Sequence, residues 1–194
     1  MPFLAQVRAT PNLLTLLRLF IVPFIVIEIL DGDYRIAFAL FLFAGLTDAL
    51  DGLLARWLRQ KTTLGQYLDP IADKLLLSTL FLVLTHVDLI PRYVTVLVFS
   101  RDLGILLIAT LLFATGALRD FRPSILGKLN TLIQIVGLVA VMTERVTVTS
   151  GWEAARWMTP LTGGLLRMIA VLAPLSAAQY AWIILRRIDT PAAV

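Results

Sequence analysis

Six apolar stretches follow one another along this chain of 194 residues, and each is close to the length of a membrane-spanning helix. They cover residues 13–30, 34–54, 71–87, 93–118, 129–147 and 165–185. About 20 apolar residues are needed to cross the hydrocarbon core of a bilayer as a helix. With 59% hydrophobic and 15% charged residues, the chain carries more apolar surface than a soluble domain of this size can bury. The sequence therefore predicts an all-α integral membrane protein with six transmembrane helices.

Short connections separate these stretches, and they contain the residues that usually end helices. Residues 31–33, 88–92 and 119–123 are predicted turns that carry Asp, Gly, Pro and Arg. The longer segment 144–164 holds Trp152, Trp157 and a pair of glycines, and it is predicted as an interfacial loop whose indoles lie at headgroup level. The first stretch contains Arg18 and Glu28, so we expect it to be a span and not a cleaved signal peptide.

The distribution of Lys and Arg predicts an orientation in the membrane. With the N-terminus inside, nine of these residues face the cytoplasm and five face outward. This excess favours both termini inside. The net charge of +4 is then explained by an anionic membrane surface, and no nucleic-acid partner is expected. The chain contains no cysteine, which excludes disulfides, thiolate metal sites and a cysteine nucleophile.

Four of the ten aspartates are concentrated around the second connection. Asp48 and Asp51 are three residues apart in the second stretch, and Asp69 and Asp73 are four apart at the start of the third. Residues at these spacings share one face of a helix, so each helix presents a pair of carboxylates. Charged groups inside a bilayer cost several kcal/mol, and such residues usually have a function.

Four carboxylates in one cleft repel each other unless protons or cations relieve the repulsion. Hard divalent cations such as Mg²⁺ take oxygen ligands, and two of them could polarise a phosphoryl group. Zinc is not expected, because the chain has no cysteine and its single histidine, His86, lies elsewhere. In the structural alternative, Arg56 and Lys74 pair with two of the aspartates, but two basic residues cannot neutralise four acids.

Small residues and an arginine accompany the aspartates. Gly52 and Ala55 follow Asp51 on the second stretch, and Gly65 is expected in the turn before Asp69. Small side chains allow a bulky group to approach the backbone, and Arg56 suits a phosphate as a bidentate donor. Together they indicate a nucleotide-diphosphate pocket beside a metal site. The alternative is close helix packing, where small residues are also enriched.

These residues form one motif of eight fixed identities over 26 positions. Written out, it is Asp48-x2-Asp51-Gly52-x2-Ala55-Arg56-x8-Gly65-x3-Asp69-x3-Asp73. The motif matches at every position the signature of the CDP-alcohol phosphotransferase family, and the sequence resembles that family over six spans and most of its length.

The resemblance implies a reaction, a cofactor and a set of roles. Members of the family transfer a phosphatidyl group from CDP-diacylglycerol to an alcohol and release CMP. The implied metal ligands, for two ions of Mg²⁺ or Mn²⁺, are Asp48, Asp51, Asp69 and Asp73. The implied CDP-binding residues are Asp51, Gly52, Ala55, Arg56 and Gly65. Asp73 would also be the general base that deprotonates the acceptor hydroxyl, and the protein would be a homodimer.

Within the family, several segments resemble the branch that uses glycerol headgroups. These segments are residues 11–15 with Arg18, 44–48, 84–85 with 88–91, 100–102 and 127–131. The last four look more like cardiolipin synthases, whose acceptor is phosphatidylglycerol, than like phosphatidylglycerophosphate synthases, which use glycerol-3-phosphate. The latter usually have Glu where Asp102 stands and Lys where Asn130 stands. A neutral Asn130 suits an acceptor phosphodiester with one charge, so phosphatidylglycerol is slightly favoured.

Arg101 and Lys128 are candidates for binding the acceptor phosphate by charge-assisted hydrogen bonds. Arg101 could equally form a salt bridge with Asp102, and Lys128 could be a solvated charge on the cytoplasmic side.

Alternatives to the whole interpretation are a family member with another acceptor alcohol, a small proton-coupled transporter, or a membrane scaffold. A transporter explains buried acids but not the Gly, Ala and Arg spacing. We expect a bacterial inner-membrane enzyme whose active site faces the cytoplasm.

Overall fold

Six α-helices make up the described part of the chain in the computed structural model, which covers residues 10–57, 63–114, 125–152 and 155–188. The helices are α1 (Thr10–Asp31), α2 (Tyr34–Trp57), α3 (Thr63–His86), α4 (Arg92–Ala114), α5 (Ile125–Thr149) and α6 (Ala155–Ile188). Each corresponds to one predicted apolar stretch, and no strand occurs within these ranges. The all-helical fold class is therefore confirmed.

Three of these helices contain segments that are long and apolar enough to cross a membrane, namely Leu13–Asp31, Ile125–Thr149 and Arg156–Ile183. Large apolar side chains also cover the outside of the helices. Phe20 and Leu106 are 66% and 63% exposed. Exposed apolar side chains in such number are unfavourable in water and favourable against lipid tails. The chain is an integral membrane protein, and the expectation that all six helices span the bilayer remains a prediction.

The first compact unit contains α1, α2, α3 and the end of α5 from Met142. Within it α1 packs against both α2 and α3. The inward stripe of α1 repeats every three to four residues, as expected for one helix face. It consists of the buried residues Thr15, Arg18, Ile21, Ile25 and Ile29. Ala44 on α2 and Ala72 on α3 are also fully buried, and such small side chains allow helices to approach closely.

The second compact unit contains α4, α6 and α5 up to Val141. Within it α4 packs along α6. The helices α5 and α6 approach closely at Gly137, where a Cβ atom would lie only 2.7 Å from Cδ1 of Ile169. A glycine at this position therefore permits the contact, since any larger residue would displace Ile169.

Three helices end in the same hydrogen-bonding arrangement with one residue in the left-handed region. Gly32 has φ of 85°, and the N–H of Asp33 donates to the carbonyl of Glu28 at 2.8 Å. Gly151 and Asp88 occupy the equivalent positions after α5 and α3, with φ of 69° and 57°. This arrangement satisfies carbonyls left without partners at a helix end. It confirms the predicted turns at 31–33 and 88–92, whereas 119–123 lies outside the described residues.

Asp88→Gly is expected to raise the stability of the protein by roughly 0.5–1 kcal/mol, because a left-handed backbone is strained for any residue with a Cβ atom. The measurement is the apparent Tm in detergent micelles. Gly32→Ala is the matched opposite change, and we expect it to lower stability by about 1 kcal/mol. A lower Tm for Asp88→Gly would show that the Asp88 side chain makes a favourable interaction that outweighs the strain.

The prediction of an interfacial loop over 144–164 is wrong for most of that segment. Helix α5 continues to Thr149 and helix α6 begins at Ala155. The glycines 163 and 164 each lower helix propensity by about 1 kcal/mol, but the inward stripe of α6, which includes Leu166 and Ile169, compensates by burial. Trp152 and Trp157 remain strongly exposed at 67% and 82%, as expected for indoles at a membrane interface.

Candidate active site

Three helices of the first unit bring charged side chains to one place. Arg18 on α1 donates from Nη2 to Oδ1 of Asp48 on α2, at 2.6 Å. Its other terminal nitrogen, Nη1, pairs with Oδ1 of Asp73 on α3. One guanidinium therefore bridges two signature aspartates that are 25 positions apart in the sequence. The fork-shaped guanidinium suits this task because its nitrogens hold fixed directions.

A third signature aspartate, Asp69, is hydrogen-bonded to the same helix, α1. The hydroxyl of Thr15 donates to Oδ1 of Asp69 at 2.6 Å. Thr15 lies three residues before Arg18, so both side chains leave the same face of α1. The inward face of α1 thus contacts three signature aspartates. We call the five residues involved the carboxylate cluster: Thr15, Arg18, Asp48, Asp69 and Asp73.

The depth of the side chains differs sharply within the carboxylate cluster. The side chain of Arg18 is 1% exposed, whereas the side chains of Asp48 and Asp73 are each 45% exposed. Arg18 therefore lies beneath the carboxylates, and the carboxylates remain accessible from outside. A ligand can reach the aspartates without passing the arginine.

The other residues of the motif belong to the same helices, although their side chains lie outside the described part of the structure. Asp51, Gly52, Ala55 and Arg56 follow Asp48 on α2. Gly65 was expected in a turn, but α3 already begins at Thr63. The prediction of a turn at Gly65 is therefore wrong, because a single glycine costs a helix only about 1 kcal/mol. Gly65 lies one helical turn before Asp69.

The donor atoms of the carboxylate cluster fit a hard divalent cation. All of its acidic groups are carboxylates, and no histidine or cysteine competes within the motif. Among the described side chains, no three His, Asp or Glu residues are arranged as a metal site. Asp48 and Asp73 are instead drawn onto Arg18. Asp51, the remaining acid of the motif, is one turn from Asp48 but its side chain is not described.

The candidate acceptor residues belong to the second unit. Arg101 on α4 is 7% exposed, and its Nη1 pairs with Asp102 at 2.6 Å while Nε donates to Ser176 on α6 at 3.2 Å. The salt bridge that the sequence offered as the alternative for Arg101 is therefore present. Lys128 lies in the first turns of α5 with an exposed side chain. Asn130, two residues on, is fully buried, and its Oδ1 and Nδ2 have no hydrogen-bond partner among the described residues.

Thr15 and Arg18 are not among the site residues that the motif indicates. In the sequence, Arg18 only argues against a cleaved signal peptide and belongs, with residues 11–15, to a segment that resembles the family. A signal was present, since Thr15 and Arg18 share one helix face and a buried arginine in lipid needs an acidic partner. The partners themselves are 30 and 55 positions away in sequence, so their identity depends on helix packing.

Comparison with known proteins agrees with the motif. The sequence model of CDP-alcohol phosphatidyltransferases matches residues 8–173, which is most of the chain. The protein belongs to this family. The match includes every residue of the carboxylate cluster, so Thr15 and Arg18 on α1 lie within the family domain together with the signature aspartates.

The curated relatives of this phosphatidyltransferase family member carry two kinds of names. The rat cardiolipin synthase (CMP-forming) is 36% identical over 70% of this chain, and the match covers 50% of that protein. A CDP-diacylglycerol–glycerol-3-phosphate 3-phosphatidyltransferase of Bacillus subtilis is 31% identical over 74% of this chain and 91% of its own length. A protein of the same name from Pseudomonas fluorescens is 32% identical over 87% of this chain and 89% of its own length.

The coverage differs between the two groups. This chain spans about half the length of the animal cardiolipin synthases that it matches. It spans nearly the whole length of the two bacterial 3-phosphatidyltransferases. Because identities lie between 31% and 36% for these relatives of both kinds, identity alone does not separate the two acceptors.

Proposed function

We propose that this protein transfers the phosphatidyl group of CDP-diacylglycerol to a glycerol-headed acceptor and releases CMP. The observation that carries the proposal is the convergence of Asp48 and Asp73 on Arg18, with Asp69 held beside them by Thr15. Three separate helices supply these side chains. Three of the four signature aspartates of a phosphatidyltransferase family thereby lie together at one accessible place.

The carboxylates are proposed to hold two divalent cations, Mg²⁺ or Mn²⁺. The ligands would be Asp48, Asp51 and Asp69, with Asp73 contributing. Bound there, the ions would supply charge neutralisation for the diphosphate and for the phosphoryl group under attack. The half-exposed carboxylates of Asp48 and Asp73 support this role, because a ligand can approach them from outside.

Asp73 is proposed as the general base. Its carboxylate would take the proton of the acceptor hydroxyl while the hydroxyl oxygen forms a bond to the lipid-bearing phosphorus. The bond between that phosphorus and the oxygen of the CMP phosphate breaks, and CMP leaves. The guanidinium of Arg18 pairs with this carboxylate and holds it in place.

The nucleotide is proposed to lie against α2 and the first turn of α3. Gly52, Ala55 and Gly65 have small side chains or none, so the backbone of these helices can be approached closely. Arg56 would bind the diphosphate and Asp51 would contribute to CDP binding as well as to the metal site. The location of these residues next to Asp48 and Asp69 in sequence supports the assignment.

The acceptor is proposed to be phosphatidylglycerol, which would give cardiolipin, in preference to glycerol-3-phosphate. Asn130 supports this choice, because a buried neutral amide can hydrogen-bond a headgroup but cannot balance a doubly charged phosphomonoester. Lys128 and Arg101 are proposed to bind the acceptor phosphate. Two of the donor nitrogens of Arg101 already donate hydrogen bonds to Asp102 and Ser176.

The experiment that tests the function offers two acceptors to the purified protein with CDP-diacylglycerol and Mg²⁺. One reaction receives phosphatidylglycerol and the other glycerol-3-phosphate, and both CMP and the lipid product are measured. CMP together with cardiolipin is the expected result. Turnover with glycerol-3-phosphate alone would correct the acceptor and leave the family reaction intact. No CMP with either acceptor would contradict the proposed function.

Asn130→Lys is expected to change the acceptor preference by about tenfold toward glycerol-3-phosphate, since a new positive charge favours the more negative acceptor. The measurement is the ratio of kcat/KM for the two acceptors. Asn130→Ala is the matched control, because it removes the amide without adding charge. It should weaken turnover without shifting the preference toward glycerol-3-phosphate. An unchanged ratio in Asn130→Lys would exclude Asn130 from acceptor selection.

In the membrane, we propose that residues 1–194 form one catalytic domain with six spans and both termini inside. The excess of Lys and Arg on the inner side supports this orientation. The active site would then face the cytoplasm of a bacterial inner membrane. A homodimer is proposed from the family resemblance alone.

A further inference from the structure

Arg18 is the one member of the carboxylate cluster that carries positive charge, and the proposed chemistry gives it no contact with substrate. Its side chain is 1% exposed and lies beneath Asp48 and Asp73. A buried arginine is retained only where its charge is compensated, and here two carboxylates compensate it. The arrangement also works in reverse, because Arg18 compensates carboxylates that would otherwise repel each other.

We propose that Arg18 is a tethered counter-cation, which supplies part of the positive charge that balances the carboxylates and that the metal ions would otherwise supply. It holds Asp48 and Asp73 together before any ion binds, and it thereby lowers the affinity of the site for divalent cations. This inference rests on the proposed function, in which the same carboxylates hold the ions. Arg18 is a positioning residue, since it acts on the reaction only through the aspartates.

Two competing contributions decide whether Arg18 raises or lowers the affinity of the site for divalent cations. Residues that orient metal ligands typically increase metal affinity, by about 10–100-fold. A fixed cation beside the carboxylates opposes the binding of further cations there, and water screens this repulsion poorly on the side of Arg18, which is buried. Arg18 donates to one oxygen of each carboxylate through the contacts described above, and α2 and α3 already hold Asp48 and Asp73 on rigid helices. Orientation is therefore largely supplied by the helices, and repulsion dominates.

The consequence is a site that is stable without metal and binds metal weakly enough to exchange it. Arg18 and Thr15 connect α1 to both neighbouring helices through the aspartates. The metal-free cluster therefore contributes to holding the first unit together. Without Arg18, the carboxylates would repel each other and the packing of α1 against these helices would be weakened until a divalent cation bound.

The test measures Mn²⁺ binding by electron paramagnetic resonance, together with the apparent Tm of the metal-free protein in detergent. Arg18→Gln is expected to bind Mn²⁺ at least about tenfold more tightly. It should also lower the metal-free Tm by about 5 °C or more, and excess Mn²⁺ should restore most of that loss. Weaker or unchanged Mn²⁺ affinity in Arg18→Gln would overturn the proposal.

Two further variants separate charge from shape and from folding. Arg18→Lys keeps the charge but loses the two-pronged geometry, so its Mn²⁺ affinity is expected to stay within about threefold of the wild type. Affinity as tight as that of Arg18→Gln would overturn the proposal. Arg35→Gln removes a charge from an exposed side chain on α2 that donates to Ser150 at 2.8 Å, and it should leave Mn²⁺ affinity unchanged.

The outcomes also distinguish this inference from the proposed function. If the wild type binds Mn²⁺ and releases CMP while Arg18→Gln shows unchanged affinity, the inference fails and the function stands. If Mn²⁺ binds to neither protein and CMP release persists in EDTA, the proposed metal chemistry fails and the inference fails with it. If Arg18→Gln is recovered only in the presence of Mn²⁺, the dependence itself supports the counter-cation role.

Discussion

Asp73→Asn is expected to reduce CMP release by about a thousandfold or more, because an amide cannot accept the proton of the acceptor hydroxyl. Asparagine has nearly the same shape as aspartate, and Arg18 keeps its pairing with Asp48, so the surrounding helices should remain packed. The loss should appear in kcat, while binding of CDP-diacylglycerol is retained. The measurements are single-turnover CMP release and equilibrium binding of CDP-diacylglycerol in mixed micelles.

Two controls make this result specific to Asp73. Asp88→Asn removes the charge of an exposed aspartate after α3, and its activity is expected to equal that of the wild type. Measuring Mn²⁺ affinity in Asp73→Asn separates the two proposed roles of the residue. Retained affinity with lost turnover indicates a base, and a parallel loss of both indicates a metal ligand. Near-normal CMP release would remove Asp73 from the catalytic machinery.

Removal of divalent cations is expected to reduce CMP release to background, at least about a thousandfold, since charge neutralisation by the ions contributes several kcal/mol to such reactions. The measurement is CMP release in excess EDTA, followed by restoration with Mg²⁺ or Mn²⁺. Restoration by these ions is expected because the site offers carboxylate oxygens. Zinc at matched free concentration should restore less, since nitrogen and sulfur ligands are missing from the motif.

The same experiment separates the proposed enzyme from the rival classes. A proton-coupled transporter or a membrane scaffold would release no CMP under any condition. Full activity in EDTA would contradict the metal role while leaving the transferase reaction in place. Loss in EDTA that no divalent ion reverses would indicate unfolding, and the metal-free Tm measured alongside identifies that case.

The existence and order of the helices and some of their ends could be predicted from hydropathy and turn residues, but the starts of α3 and α6 could not. The stretch 71–87 marks only the apolar part of α3, which begins at Thr63, and the stretch 165–185 marks only part of α6, which begins at Ala155. Hydropathy reports where a helix meets apolar surroundings. A helix continues beyond that region wherever its backbone hydrogen bonds are still favourable, and polar residues continue it without altering the apolar pattern.

The acidic half of the candidate site was equally visible in sequence. Asp48 with Asp51 and Asp69 with Asp73 stand at spacings that share a helix face, and carboxylates within a bilayer protein need a compensating cation. Sequence reasoning considered metal ions, Arg56 and Lys74 for that purpose. It did not consider Arg18, because nothing local to α1 indicates which helices pack against it.

The sequence by itself therefore determined the helical membrane class, the motif and the chemistry of its ligands, since these follow from residue type and local spacing. Only the tertiary structure decided which cation faces the aspartates. Arg18 meets Asp48 and Asp73 because α1 packs against both of their helices, and Thr15 meets Asp69 for the same reason. Such contacts join residues 30 to 55 positions apart, and helix packing sets them through the burial of whole faces and not through any local pattern.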